Sequence, residues 1–296
     1  MRLYAIKKRF LCLYLDRVYG FVYNQKKGGT FMNNISIANE TIKITADGFY
    51  ELDGKRIELP HNDYSAVEVI TPENGAELVK NIVIPDGGMC SITVTTEDSF
   101  TAASRFEAPY VMNFANAHNP GGGFRLGANA QEEALCRCST LYASINSEKA
   151  KEMYHYNNTH ISSVESDYML YSPDVCVFRD HHCELLEKPF MAAVITVPAA
   201  NRRGAALFAS NKKIEEAMTG RIRILLAAAA KHDHKNIVLG AWGCGAFGNK
   251  PAEVSGYFRK VLIDEDYGRL FENVCFAIYG SENSKNYMAF EEAFEG

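Results

Sequence analysis

The sequence predicts a three-layer α/β fold, with a mixed or parallel sheet between two sets of helices, and three observations carry that reading. Short apolar runs alternate along the chain with amphipathic stretches, the pattern of strands and their covering helices. Ala192 to Val197 is a continuous, β-branched apolar run, as expected of a strand covered on both faces. Two glycine-rich loops follow two of the expected strands, and open α/β sheets bind ligands beyond the carboxyl ends of their strands.

The elements follow in order. Ile35 to Ala46 is helix-like, and Phe49 to Ile57 reads as a hairpin around the turn dipeptide Asp53-Gly54. Ile82 to Ile84 and Ile92 to Val94 read as short strands, with a helix over Glu97 to Phe106. Tyr110 to Phe114 is an apolar strand entering the first glycine loop, and Gln131 to Ile145 has helical composition. Asp167 to Arg179 reads as two short strands, Lys212 to Lys231 as a long helix, and Ile237 to Trp242 as a buried strand. Pro251 to Leu262 is a helix opened by proline. Val274 to Tyr279 is a last strand and Ser284 to Phe294 a last helix. Tyr154 and Tyr156 lie in a polar stretch that reads either as a mobile lid or as having no role, His155 and His160 share it without a ligand spacing, and Trp242 reads as core.

Of the 296 residues, 47% are hydrophobic and 23% charged, an ordinary globular balance. A chain of this length buries a sizeable core without staples. Residues 1–31 carry seven Lys or Arg and one acid, net +6, and the remainder is then −11. Two readings fit that basic segment, a mobile arm or upstream sequence included by a wrongly chosen start codon, with the domain proper at 32–296 and an accessory segment at about 32–80. An acidic body argues against general binding of nucleic acid. It also requires that any bound phosphate be held by backbone N–H groups and helix N-termini. No run of eighteen apolar residues is present, so no membrane helix is expected. The eight cysteines are scattered, which reads as reduced thiols in a cytoplasmic protein. Cys136-x-Cys138 and the His181-His182-Cys183 cluster lack the usual zinc spacing, so no metal or other cofactor is expected.

The first candidate site runs from Asn113 to Glu133. Gly121, Gly122 and Gly123 follow a strand and precede a helix, where backbone must come close to something or take a positive φ. The helix opens with Gln131, Glu132 and Glu133. Paired acids there commonly do no more than offset the helix dipole. Their coupling to three glycines points instead to a carboxylate aimed at a ligand. The second site is Gly243, Cys244, Gly245, Ala246, Phe247, Gly248 and Asn249, a glycine-rich turn between a strand and a proline-started helix. It is no Walker loop, and its GxGxxG spacing lacks an early βαβ unit. Phe247 reads equally as a helix-capping core residue or as a platform for a ligand.

These residues resemble the poly(ADP-ribose) glycohydrolases, above all the compact bacterial-type ones. Gly121-Gly122-Gly123, a seven-residue spacer and Gln131-Glu132-Glu133 match the signature of that family, and Asn116 matches the asparagine ahead of it. Tyr171 to Val175, Val177 to Asp180 and Ile195 to Asn201 extend the likeness, which runs over roughly Ile35 to Tyr279. The resemblance implies a macrodomain fold with an N-terminal helical extension. It implies hydrolysis of the ribose–ribose O-glycosidic bond of poly(ADP-ribose), releasing ADP-ribose. Glu133 is then the acid/base, Glu132 and Asn116 hold the distal ribose, and Phe247 packs against it. Backbone N–H groups of both turns are expected to bond the diphosphate, and Arg125 lies beside the first as a possible phosphate contact. The partners implied are the polymer or an ADP-ribosylated protein, with no membrane and no specific nucleic acid. Three alternatives stay open at this stage: an ADP-ribose-binding macrodomain, a hydrolase of mono-ADP-ribosyl adducts, and a cysteine enzyme using Cys244 and His118.

Overall fold

The computed structural model describes residues 25–27, 30–60 and 63–295. Most of the basic segment 1–31 therefore lies outside the described residues, apart from backbone at its end. There β1 (Gln25–Lys27) pairs antiparallel with β2 (Thr30–Met32).

Seven strands make the central sheet: β5 (Glu68–Ile70), β6 (Ser91–Thr95), β7 (Tyr110–Ala115), β8 (Met169–Arg179), β9 (Leu185–Pro198), β10 (Asn236–Leu239) and β11 (Asn273–Ala277). Their spatial order is β5-β8-β9-β7-β10-β11-β6. From β9 to β6 every neighbour is parallel, while β8 runs antiparallel to both β5 and β9, so the sheet is mixed. Side chains alternate along each strand. Tyr110, Met112, Ile237, Leu239, Val274 and Phe276 enter one core, and Val111, Val238 and Cys275 enter the other. The first core is closed by α2 (Pro72–Asn81), α7 (Asn211–Lys231), α8 (Pro251–Arg259) and α9 (Lys285–Phe294). The second is closed by α1 (Asn34–Asp47), α3 (Ser99–Ala103), α4 (Gln131–Cys138), α5 (Leu141–Ile145) and α6 (Lys151–Thr159). Two helical layers around one mixed sheet is the predicted architecture.

The accessory segment docks on the far end of β8. The hairpin of β3 (Phe49–Leu52) and β4 (Lys55–Glu58) turns at Asp53 and Gly54, both at positive φ, as the dipeptide requires. Tyr50, Ile44 and Leu59 form a small separate core with Cys176 and Phe178. α1 then reaches towards the first glycine turn. Thr41 donates its hydroxyl to Arg137 O at 2.7 Å, and Asn34 Nδ2 donates to Gly127 O at 3.0 Å.

Several element expectations are corrected. Ile82 to Ile84 is not a strand but the exit from α2, leading into Pro85, Asp86 and two glycines. The helix placed over Glu97 to Phe106 is only α3. Gln131 to Ile145 is two helices, because Ser139 bridges to Val177 and Thr140 N–H donates to Cys176 O at 3.0 Å, so the backbone there serves β8. The two strands expected within Asp167 to Arg179 are one, irregular between Ser172 and Val175 where Pro173 removes a donor. The last expected turn of the helix ending at Leu262 widens into a π-helical stretch, Lys260–Asp264. The polar stretch around Tyr154 is the helix α6, with Tyr154 buried. Trp242 is fully buried and donates Nε1–H to Val197 O at 3.1 Å.

Candidate active site

β7 and β10 are parallel neighbours, so the loops leaving their carboxyl ends meet on one rim. Between them lies a cavity of about 900 Å³, lined by both glycine turns and by the first residues of α4. Of the predicted site residues, Asn116, Gly122, Gly123, Gln131, Glu132, Glu133, Gly243, Gly245, Ala246 and Phe247 line it. Gly121, Cys244, Gly248 and Asn249 stand behind that lining.

The start of α4 is fixed to β7 by Gln131. Its side chain accepts Phe114 N–H at 2.9 Å and donates to Met112 O at 2.8 Å and Ser99 Oγ at 3.1 Å, standing in for a ladder partner where β7 runs out. Gln131 is thus occupied in holding the helix. Its two following carboxylates are both buried, Glu132 at 3% and Glu133 at 8% exposure. Glu133 accepts Ala130 N–H and Gly123 N–H, each at 2.9 Å, which caps the helix and ties it to the glycine turn. Glu132 accepts Asn116 N–H at 2.8 Å and Asn113 Nδ2–H at 3.3 Å. Burial pushes the Glu132 carboxyl up to about 8; the N–H of Asn116 opposes this and the neighbouring charge of Glu133 adds to it. Asn113 is fully buried and its Oδ1 has no partner among the described residues, so a polar pocket surrounds this carboxyl.

The first turn approaches the carboxylates because it has no side chains. Gly122 has φ +54°, and a Cβ there would meet Glu133 Oε1 at 2.6 Å and Glu132 Oε2 at 3.2 Å. Its N–H donors are already spent: Gly122 on Asn119 O, Gly123 on Glu133, and Gly121 on Glu132. The expectation that this turn cradles phosphate with free N–H groups is therefore corrected; it is a bracket for the two acids.

The second turn keeps its donors. Cys244, Gly248 and Asn249 use their N–H groups within the loop, whereas those of Gly245, Ala246 and Phe247 have no acceptor among the described residues. Asn249 latches the loop: Nδ2 donates to Ala200 O at 2.8 Å and Oδ1 accepts Arg202 Nε–H at 3.2 Å. Gly243, at φ +71°, passes that amide so closely that a Cβ would meet Asn249 Nδ2 at 2.5 Å. Phe247 is half-buried, touching the core on one side and the cavity on the other.

Asn116 folds its Oδ1 back onto His118 N–H at 2.8 Å and Asn119 N–H at 3.0 Å. Arg125 is exposed and outside the cavity lining. The Cys244–His118 pair gains no support. Burial pushes the Cys244 thiol up to about 12, and His118 is held by Glu165 at 3.2 Å and Asn158 at 3.1 Å. Sequence reasoning missed Asp98, Ser99 and Phe100 after β6, and Ile278 and Tyr279 after β11, which also line the cavity. The signal was available in principle, because these strands are parallel to β7 and β10 and end on the same rim.

Comparison with known proteins agrees with this geometry. The family described as microbial-type PARG, catalytic domain, matches residues 38–180. The chain is similar to the crystal structure of poly(ADP-ribose) glycohydrolase from Thermomonospora curvata, at 36% identity and TM-score 0.82, over 88% of this chain and 99% of that one. The same enzyme bound to the inhibitor ADP-HPD matches at TM-score 0.79 with the same identity and coverage. The Deinococcus radiodurans glycohydrolase in complex with ADP-ribose matches at 36% identity and TM-score 0.72, over 78% of this chain and 94% of that one. The macrodomain-like expectation for the fold agrees with these likenesses. No match was found among curated proteins.

Proposed function

This chain belongs to the microbial-type poly(ADP-ribose) glycohydrolase family, and from that premise we propose that it hydrolyses the ribose–ribose O-glycosidic bond of poly(ADP-ribose), releasing ADP-ribose. One observation carries the assignment of residues: Glu132 and Glu133 meet both glycine turns around a single cavity. The diphosphate lies on the N–H groups of Gly245, Ala246 and Phe247, which have no acceptor among the described residues. The nucleoside end extends towards Phe100, Ile278 and Tyr279, and the distal ribose rests against Phe247, Asn116 and Glu132.

Glu133 donates a proton to the departing ribose oxygen as the C1–O bond breaks through an oxocarbenium-like state. It then takes a proton from the water that attacks C1. One carboxyl group suffices for both transfers because they occur in sequence. A Glu132 carboxyl that stays protonated at neutral pH adds no second negative charge beside Glu133 and the diphosphate.

Residues 32–296 act as one catalytic unit with an accessory segment at about 32–80. No helix among the described residues is long and apolar enough to cross a membrane. The scattered cysteines fit a reducing compartment, the cytoplasm.

The test is Glu133→Gln. Release of ADP-ribose from labelled polymer is expected to fall at least ~1,000-fold, within the range for a lost acid/base, while calorimetry still detects ADP-ribose binding. Near-normal hydrolysis by the purified variant removes Glu133 from the role.

A further inference from the structure

Away from the glycine turns, the cavity wall holds two cysteines that the glycohydrolase reading does not use. Cys138 ends α4, Cys183 sits in the tight turn between β8 and β9, and both line the cavity. Cys138 is 5% exposed and Cys183 is half-buried. Both residues converge on one carbonyl: the Cys138 S–H donates to Asp180 O at 3.1 Å and the Cys183 N–H donates to the same oxygen at 2.8 Å, which holds the two residues side by side.

The turn is rigidly built. Cys183 N–H closes it on Asp180 O at 2.8 Å, and the Asp180 carboxylate accepts the N–H groups of His182 at 2.9 Å and Glu184 at 2.8 Å. Arg179 Nη1 donates to Cys183 O at 2.8 Å. Cys183 itself holds φ +61°, a left-handed conformation that a side-chain-bearing residue keeps only where its surroundings fix it. Two guanidinium groups face its sulfur, Arg137 and Arg179. Arg137, 1% exposed, places Nη1 on Ala128 O at 2.6 Å and Nη2 on Asn129 Oδ1. Its buried Nε–H has no partner among the described residues.

We propose that Cys183 and Cys138 form a hydroperoxide-reactive dithiol, in which Cys183 is the attacking thiolate, Cys138 the resolving thiol, and the product an intramolecular disulfide in the cavity wall. In the first step the Cys183 sulfur attacks a peroxide oxygen. An S–O bond forms, the O–O bond breaks, and the released oxygen takes a proton and leaves as alcohol or water. In the second step Cys138 attacks the sulfenic sulfur. The S–S bond forms, the S–O bond breaks, and hydroxide leaves with the Cys138 proton as water. The two thiols supply both electrons that reduce the peroxide.

The division of labour matches the surroundings. The hydrogen bond from Cys138 lowers the Cys183 thiol to about 7; burial opposes this, and the charges of Arg137 and Arg179 assist. Its hydrogen bond to Cys183, and then burial, push Cys138 well up. Burial drives Cys90 to about 11, and Cys176 and Cys244 to about 12, so these thiols compete poorly.

The test uses the full chain in a Cys12→Ser background, treated with stoichiometric hydrogen peroxide at neutral pH and mapped by non-reducing peptide mass spectrometry. A disulfide joining the Cys138 and Cys183 peptides, lighter by two hydrogens and reversed by dithiothreitol, is expected. Cys138→Ser should accumulate a sulfenic acid at Cys183 that dimedone traps, and Cys183→Ser should oxidise at least ~10-fold more slowly, as loss of the reactive thiolate requires. First oxidation at another cysteine overturns the proposal. So does a disulfide between another pair, or sulfinic acid at Cys183 without a disulfide. The mass readout on the parental chain needs no cavity-wall variant to fold. Because it does not measure polymer cleavage, its failure leaves the glycohydrolase assignment untouched.

Discussion

Gly122→Ala isolates the contact on which the acid/base depends. Two effects are separable. An alanine at φ +54° sits in the left-handed region, at a cost of ~1–2 kcal/mol. Its Cβ also lands 2.6 Å from Glu133 Oε1, so the carboxylate must move. That carboxylate holds two N–H groups at 2.9 Å, from Gly123 and Ala130. Hydrogen bonds to a charged group contribute ~1.5–3 kcal/mol each. Losing one of the two and straining the turn together come to ~2.5–5 kcal/mol, which at ~2–4 °C per kcal/mol lowers Tm by ~5–20 °C. Catalysis should suffer more, because an ångström-scale displacement of a reacting group costs ~100-fold. The assay pairs thermal unfolding with ADP-ribose release from labelled polymer, in Gly122→Ala and in Gly87→Ala, whose Cβ meets nothing within 4 Å. A Gly122→Ala protein that melts near the parental temperature and turns over within a few-fold of it refutes the bracket argument. An equal loss in Gly87→Ala would refute the attribution to this contact.

The remaining predictions concern the second carboxyl and the second turn. Below the ordinary glutamate value of 4.5 Glu132 is protonated in both the folded and the unfolded state, and between 4.5 and about 8 the folded state keeps a proton that the unfolded state has lost. Stability therefore falls as pH rises through that window, by up to ~1.4 kcal/mol per unit. Glu132→Gln has nothing to titrate, so its urea midpoint should gain on the parental one between about pH 5 and about pH 9; parallel curves would sink the idea. Asn249→Ala removes bonds to Ala200 O and from Arg202, and should lower stability by ~1–3 kcal/mol while weakening ADP-ribose binding. Phe247→Ala, half-buried, should weaken binding at least ~5-fold, the loss of one aromatic contact, with a smaller change in Tm than Asn249→Ala. Calorimetry and thermal melts on both variants separate the latch from the platform, and identical profiles would deny the distinction.

The layers and the rim were legible in the amino-acid pattern. The continuous burial of Tyr110, Val111 and Met112, and of the largely apolar, β-branched Ala192 to Val197, follows from which side chains water rejects, and that is local information. The glycine turns were legible because glycine alone combines the positive φ with the close approach found at Gly122 and Gly243, and Gln131-Glu132-Glu133 because a helix starts after the first turn. Tertiary structure alone decided what each polar group does. Gln131 reads as a ligand contact yet bonds the end of β7, and Asn249 reads likewise yet latches Ala200. Two of the first turn's N–H groups, those of Gly121 and Gly123, went to carboxylates that the turn's own spacing could not locate in space. The pKa of Glu132, and the meeting of Cys138 with Cys183 across 45 residues of chain, depend on burial and on neighbours brought in by β7 and by the turn after β8. Hydrophobic periodicity is written residue by residue, whereas a hydrogen-bond partner is chosen only after the elements have packed.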